Sequence, residues 1–292
     1  MRCLKYYSEV VYEEVMKGNT LSSAMKQHAR VFPELLSNMV ATGEVSGTLD
    51  SIMDRMAVNY EKESHIRNKV KSALVYPIVL SIVATMVVIF LLIFVLPRFI
   101  SMFEQSGFTL PLPTRILLVT GSIMKNYWYL ILSGVVLLVF LILKWIGSEQ
   151  GRLEVDRLIL KIPIVGSVVQ KIASSRFSRT LSILAYSGTP ILEALDITSR
   201  VVGNKAIAEG IMKARYAVIK GLELSKPIRE ESGSLDIVLE KTSDFYDVEV
   251  EASLQKLTSM LEPAIIVTMG AVIGFIILSV VLPMFDALEF VQ

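Results

Sequence analysis

The sequence holds a single cysteine, Cys3, and only two histidines, His28 and His65, in 292 residues. One cysteine excludes an intrachain disulfide and any multi-cysteine metal centre. The histidines stand far apart in charged helical stretches and read as solvated surface residues. No His/Cys/Asp/Glu cluster has zinc-site spacing. No glycine-rich loop ends in Gly-Lys-Ser or Gly-Lys-Thr, so the chain does not read as an ATPase. No serine sits in a nucleophile-elbow pattern. The net charge of +1 gives no electrostatic footprint for nucleic acid. Nothing here predicts a catalytic, cofactor-binding or metal-binding residue, so the sequence reads as a non-enzyme without a cofactor.

Charge is also missing from three long stretches. The chain is 53% hydrophobic, with a mean hydropathy of +0.57, and its apolar residues cluster. The windows 74–96, 127–146 and 260–282 are predominantly apolar and each long enough as helix, at about 20 residues or more, to cross a hydrocarbon layer of roughly 30 Å. Lys144 and Glu262 lie near window ends, where side chains reach the interface. The first window begins far from Met1 and does not read as a signal peptide. Lys62, Arg67, Lys69 and Lys71 precede the first window, and Lys144, Arg152, Arg157 and Lys161 follow the second. The stretch between these two windows carries only Arg98, Arg115 and Lys125, and the tail from Pro283 to Gln292 carries no Lys or Arg. The positive-inside rule then places the N-terminus in the cytoplasm and the C-terminus outside.

The chain repeats itself. Ser46-Gly47-Thr48-Leu49-Asp50 recurs as Ser232-Gly233-Ser234-Leu235-Asp236, a step of 186 residues. The same step carries Tyr60 to Tyr246, Glu63 to Glu249, Pro77 to Pro263 and Leu96-Pro97 to Leu282-Pro283. Upstream, Val15-Met16-Lys17-Gly18 recurs as Val218-Ile219-Lys220-Gly221, a step of 203. The second copy therefore lacks 17 residues, which correspond to most of Lys26 to Val45. That missing stretch reads as an amphipathic helix of about 25 Å, and its loss is expected to leave apolar faces exposed on its neighbours.

The segments between the windows read as short helices. Phe177, Thr180, Leu181, Leu184 and Ala185 fall at helical spacing. Gly188 ends that helix, and Thr189-Pro190 begins the next as cap and first residue. Gly203-Asn204 punctuates again before a helix to about Lys220. Thr48 and Ser234 read as N-caps, with Asp50 and Asp236 in first turns, where the helix dipole favours an anion. This accounts for Gly47, Asp50, Gly233 and Asp236 as structural residues. Glu63 and Glu249 occupy matching positions and are candidates for a shared packing or interface role. Pro77 and Pro263 sit near the cytoplasmic ends of their windows as helix-start or kink residues. Gly270 and Gly274 form a small-xxx-small pair that lets two helices approach closely.

These motifs resemble the type II secretion system F-protein family, which includes the pilus-assembly platform proteins. The resemblance rests on Gly43-Glu44-Val45-Ser46-Gly47-Thr48-Leu49-Asp50, on Glu231-Ser232-Gly233-Ser234-Leu235-Asp236, and on Leu261-Glu262-Pro263. Val281-Leu282-Pro283-Met284-Phe285, Phe177-Ser178-Arg179-Thr180-Leu181, Ser187-Gly188-Thr189-Pro190-Ile191 and Ile162-Pro163-Ile164-Val165-Gly166 add to it. It implies an inner-membrane scaffold that couples a cytoplasmic hexameric secretion ATPase to assembly of a pilin or pseudopilin fibre. It also implies contact with other inner-membrane assembly components and a homo-oligomer in the lipid bilayer, with no nucleic-acid partner. Against the family's pattern, the opening helices of the first domain are expected to be absent, and the second domain to lack one helix.

The fold class read here is all-α: a polytopic membrane protein with two repeated cytoplasmic helical bundles and about three transmembrane helices. The expected boundaries are a first cytoplasmic domain over 1–73, a transmembrane helix over 74–97 and an extracytoplasmic loop over 98–126. A second span over 127–146, a second cytoplasmic domain over 147–259, a third span over 260–283 and an extracytoplasmic tail over 284–292 follow. A transporter or channel subunit is the alternative, but it predicts polar residues and broken helices at mid-membrane, which these windows do not contain.

Overall fold

The computed structural model describes residues 2–98, 111–220 and 235–289. Gly233 lies outside the described residues. The described part is helical, with no strand among its residues. In chain order the helices are α1 (Arg2–Met16), α2 (Leu21–Lys26), α3 (Glu34–Ser46) and α4 (Leu49–Phe90), which runs into a π-helical turn at Leu91–Val95. Then come α5 (Leu112–Ile146), α6 (Glu149–Lys161), α7 (Val165–Tyr186), α8 (Ile191–Val201), α9 (Lys205–Ile219) and α10 (Leu235–Glu289). Three of these helices, those containing α4, α5 and α10, are long and apolar enough to cross a membrane. The chain divides into two compact units: a bundle unit of residues 1–69 and 152–253, and a span unit of residues 70–151 and 254–292.

In the bundle unit, α3 begins after Pro33 and ends at Gly47, whose φ of 71° is a left-handed C-cap that glycine adopts without a Cβ penalty. Thr48 follows as the residue before α4, and its carbonyl accepts from Ile52 N–H at 3.1 Å. Its hydroxyl pairs with Ser46 Oγ at 2.6 Å rather than with its own helix. Glu44, the acid of the Gly-Glu-x-x-Gly motif, caps α2: its carboxylate accepts from Leu21 N–H at 2.6 Å and Ser22 Oγ at 2.5 Å. An anion is favoured there by the unpaired N–H groups of the first turn. The cap of α8 is Pro190 itself, one residue later than expected, because Thr189 turns its hydroxyl to Ser187 Oγ. Asn204 caps α9 through Ile207 N–H at 3.1 Å.

The main core of the bundle unit joins helices from the stretches 1–69 and 152–253, on either side of the first two apolar windows. Leu35 and Met39 from α3, Ile52 and Met56 from α4, Leu181, Ile183 and Leu184 from α7, and Ala194 and Ile197 from α8 form one buried cluster. A second cluster holds Val11, Ala24, Met25 and Val40. The Ile-Pro-Ile-Val-Gly link turns the chain by 111° between α6 and α7. Ile164 takes a φ of 71°, and a Cβ on Gly166 would stand 2.4 Å from Leu160 O, so only glycine fits there. From Arg152 onward, α6 and α7 belong to the bundle unit, and α7 carries its core, so this bent pair is not counted as a span.

The two copies bury different faces of their equivalent helices. On α4, Ile52, Met56 and Asn59 are buried. On α10 the equivalent stretch leaves Val238 and Phe245 exposed, along with Ile237 and Val248. Instead α10 buries Ser243, Val250 and Leu254. In the first copy α3 covers part of the equivalent face, and the second copy's sequence omits that helix.

In the span unit, Leu92, Leu96, Leu117 and Ile276 form the core. Thr114 Oγ1 donates to the carbonyl of Ser279 at 2.5 Å, a buried bond between α5 and α10. Helix α5 begins at Leu112, well before the apolar window at Tyr127, where the backbone kinks (φ −117°, ψ 18°). These early turns intersperse Arg115, Thr120, Ser122 and Lys125 among apolar residues, and Leu117 enters this core. Tyr76 Oη donates to Glu262 Oε1 at 3.3 Å. These two residues are 186 apart, so repeat-equivalent positions touch each other.

Candidate functional site

The chemistry-bearing side chains converge on α7. Lys171, Ser175, Arg179 and Ser182 recur every three or four residues, which puts them on one helical face. That face meets α10 over its length. Lys171 Nζ donates to Glu249 Oε2 at 2.6 Å and to Ser253 Oγ at 2.8 Å. Ser175 Oγ donates to Asp247 Oδ1 at 2.5 Å, and Arg179 pairs with Asp247 Oδ2. Ser182 Oγ donates to the carbonyl of Asp236 at 2.8 Å. Arg176, one step round the helix, reaches α4 instead and pairs with Glu63 at 3.2 Å. Helix α7 is thus a polar spine between the equivalent helices α4 and α10. Serines suit the contact because small side chains let helices approach while their hydroxyls satisfy buried partners.

Further ion pairs join α4 to α10 directly. Lys62 pairs with Asp244 at 2.5 Å, and Glu251 accepts from Lys69 and lies 3.6 Å from His65 Nε2. The hydrogen bond from Lys69 holds the Glu251 carboxyl below the usual carboxylate range. At the start of α4, the Arg55 guanidinium lies 3.5 Å from the Tyr186 ring centroid, and Ser51 Oγ and Tyr186 Oη share a hydrogen bond of 3.1 Å. The Ser51 bond and the Arg55 charge lower the Tyr186 phenol.

Among the described residues of this unit, two clefts border these contacts. One, of about 290 Å³, is lined by Asp54, Arg55, Asn59, Arg179, Glu240 and Ser243 among others. The other, of about 560 Å³, lies beside Pro33, Tyr60, Glu63, Arg67 and Arg200. Burial pushes the Tyr60 phenol up to about 12, with the Glu63 charge adding to it. Its hydroxyl has no hydrogen-bond partner among the described residues.

Of the residues singled out in the sequence, Glu63 and Glu249 are brought to the same helix, α7, at Arg176 and Lys171. Gly47 closes α3, and Asp50 and Asp236 stand in the first turns of α4 and α10. Pro77 is buried inside α4, and Pro263 is exposed within α10. Gly270 and Gly274 meet no other side chain within 4 Å of a Cβ placed on them. They and the prolines belong to the span unit. Sequence reading missed Lys171, Arg179, Asp247 and Ser243. For Lys171 and Arg179 the signal available was the run of Ser and basic residues at three- and four-residue spacing on α7.

The profile of the family described as type II secretion system (T2SS), protein F, matches residues 1–97 and 227–283. The chain is similar to the type IV pilus assembly protein PilC of Myxococcus xanthus, 34% identical over 298 residues, covering 97% of this chain and 72% of the relative. It is similar to PilC of Thermus thermophilus at 36% over 292 residues, covering 94% and 72%. The type II secretion system protein F of Aeromonas hydrophila is 33% identical over 294 residues, covering 94% and 75%. With three helices able to cross a membrane among the described residues and this similarity over nearly its whole length, the chain belongs to the type II secretion system protein F family of multi-pass inner-membrane proteins.

Proposed function

We propose that this chain is the inner-membrane platform of a type IV pilus or type II secretion machine. Its relatives carry those assembly and secretion names. In this reading the bundle unit faces the cytoplasm and meets a hexameric secretion ATPase and other inner-membrane components. The spans act on pilin or pseudopilin subunits at the base of the fibre, and several copies assemble together. The chain works as a mechanical coupler and carries out no reaction of its own.

The observation that carries the coupling is the course of α4 and α10. Each begins in the bundle unit and continues without a break in helix assignment into the span unit. A load on the bundle end of such a helix has a continuous helical path to the membrane end, with one backbone hydrogen bond missing at Pro77 in α4 and at Pro263 in α10. The repeat supplies two such helices with the same sequence landmarks.

Deletion of the gene is expected to abolish fibres or secretion, and the full-length protein is expected to co-purify with the ATPase or inner-membrane components. Fibre assembly that persists without the protein, together with no co-purification, overturns the reading. Cysteine-accessibility mapping of the tail and of 147–257 tests the orientation with the C-terminus outside.

A further inference from the structure

The 290 Å³ cleft between α4, α7 and α10 has a feature beyond its charge. Asp54 and Glu240 both line it, and they are equivalent positions of the repeat, 186 residues apart. Val58 and Asp244, also equivalent, line it too. The cleft therefore lies where matching stretches of the two copies face one another, with an acid from each.

The cations in the walls are already engaged. Lys62 holds Asp244, Arg179 holds Asp247, and Arg55 lies over the Tyr186 ring. Asp54 and Glu240 have no ion-pair partner among the described residues. Behind them, Ser243 is 1% exposed, and its hydroxyl has no hydrogen-bond partner among the described residues. Its neighbour Thr242 bonds back to the carbonyl of Val238 at 2.7 Å, as Thr258 does to Leu254 at 2.8 Å. Ser243 makes no such bond. The equivalent residue of the first copy is Ala57, so the repeat does not require a hydroxyl at this place. A buried hydroxyl left unpaired is destabilising, and a ligand that bonds it removes that cost.

Among the lining groups, the carboxylates of Asp54 and Glu240, the Ser243 hydroxyl oxygen and the Asn59 amide oxygen can all accept hydrogen bonds. No group of three potential metal ligands converges among the described residues, so a point-like ion is a poor fit. An extended cation with several N–H donors can span separated acceptors, and guanidinium has five in a planar fork.

We propose that this cleft receives an arginine side chain presented by a partner protein, with Asp54 and Glu240 binding the guanidinium and Ser243 Oγ accepting one of its N–H groups. The proposal rests on the platform reading only for which protein presents the arginine. The binding chemistry is a property of this chain.

Full-length protein in detergent micelles is titrated with N-acetylarginine amide by calorimetry, with thermal unfolding as a parallel readout. Saturable binding is expected. The D54N/E240Q double variant is expected to weaken it by at least about tenfold, since two charge-assisted bonds become neutral ones. Capped citrulline, which keeps the shape and loses the charge, is expected to bind at least about tenfold more weakly than capped arginine. Ser243→Ala is expected to weaken binding several-fold while the variant melts no lower than the parent without the probe. Asp54 and Glu240 are exposed, so their neutral variants should melt near the parent temperature, which the thermal arm checks. Absence of saturation overturns the proposal, as does equal binding by the double variant or by citrulline. Tighter binding of spermidine than of capped arginine also overturns it, in favour of a free polyamine. Loss of fibres on gene deletion without arginine binding overturns this proposal alone and leaves the platform reading standing.

Discussion

Arg179 is buried on α7, and its charge is balanced by Asp247, which also accepts from Ser175. A buried ion pair is weak evidence of net stability, because desolvation offsets the attraction. Breaking one is different, since the remaining charge stays buried without a partner. Asp247→Ala is expected to cost about 3–5 kcal/mol in denaturant unfolding in micelles. The double change Arg179→Met with Asp247→Leu is expected to cost far less. A cost below about 1 kcal/mol for Asp247→Ala would mean that Arg179 finds water or another acceptor. Tyr60 gives a second residue-scale test. Burial, with the Glu63 charge adding to it, pushes its folded-state pKa up to about 12, above the ordinary phenol value of about 10. A group raised in this way contributes stability that is fully present below pH 10 and is lost as pH rises towards 12, because the unfolded chain loses the proton first. Tyr60→Phe should flatten that part of the stability curve, measured against the parent over the same range; an unchanged slope refutes the assignment.

At the scale of the element, the family motif Gly43 to Asp50 resolves into separate physical jobs. Glu44 caps α2, Gly47 ends α3 and Asp50 lies in the first turn of α4. Glu44→Ala removes the acceptor of three hydrogen bonds from the first turn of α2. The loss expected is about 1–2 kcal/mol, with faster amide exchange at Leu21 and Ser22. Normal protection at both amides would show that another group takes over the cap. The π-helical turn at Leu91–Val95 belongs to the same scale. A Cβ on Gly121 would lie 2.9 Å from the Leu92 carbonyl oxygen, so α5 approaches this turn closely. π-turns of this kind are frequent where a helix adjusts its register locally.

Across the whole molecule, the core of the bundle unit is shared between its two chain segments, 1–69 and 152–253. Met56 of the first segment and Leu184 of the second are both essentially inaccessible and belong to one cluster. Neither set of helices buries its apolar face without the other. Leu184→Ala is expected to cost about 2–5 kcal/mol and to speed hydrogen exchange in α3 as much as in α7. Faster exchange confined to α7 would show that the segments unfold independently. The exposed Val238, Phe245 and Val248 on α10 mark the opposite situation, a helix face whose first-copy equivalent is partly covered.

The sequence by itself determined which helices are long and apolar enough to cross a membrane, because a run of about 20 mostly apolar residues has few other stable environments in a helix. It also determined the repeat and most helix starts, since caps and glycines act locally. Glu63 and Glu249 were legible as a matched pair, while their partners on α7 were not. Helical periodicity says which face is apolar and leaves open which helix covers it. That α7 and α8 complete a core with α3 and α4, that Asp247 neutralises Arg179, and that Asp54 and Glu240 line one cleft were decided by tertiary structure alone. These contacts join residues more than 100 positions apart or different helices of the bundle, and only the packed shapes select among the apolar and charged faces available.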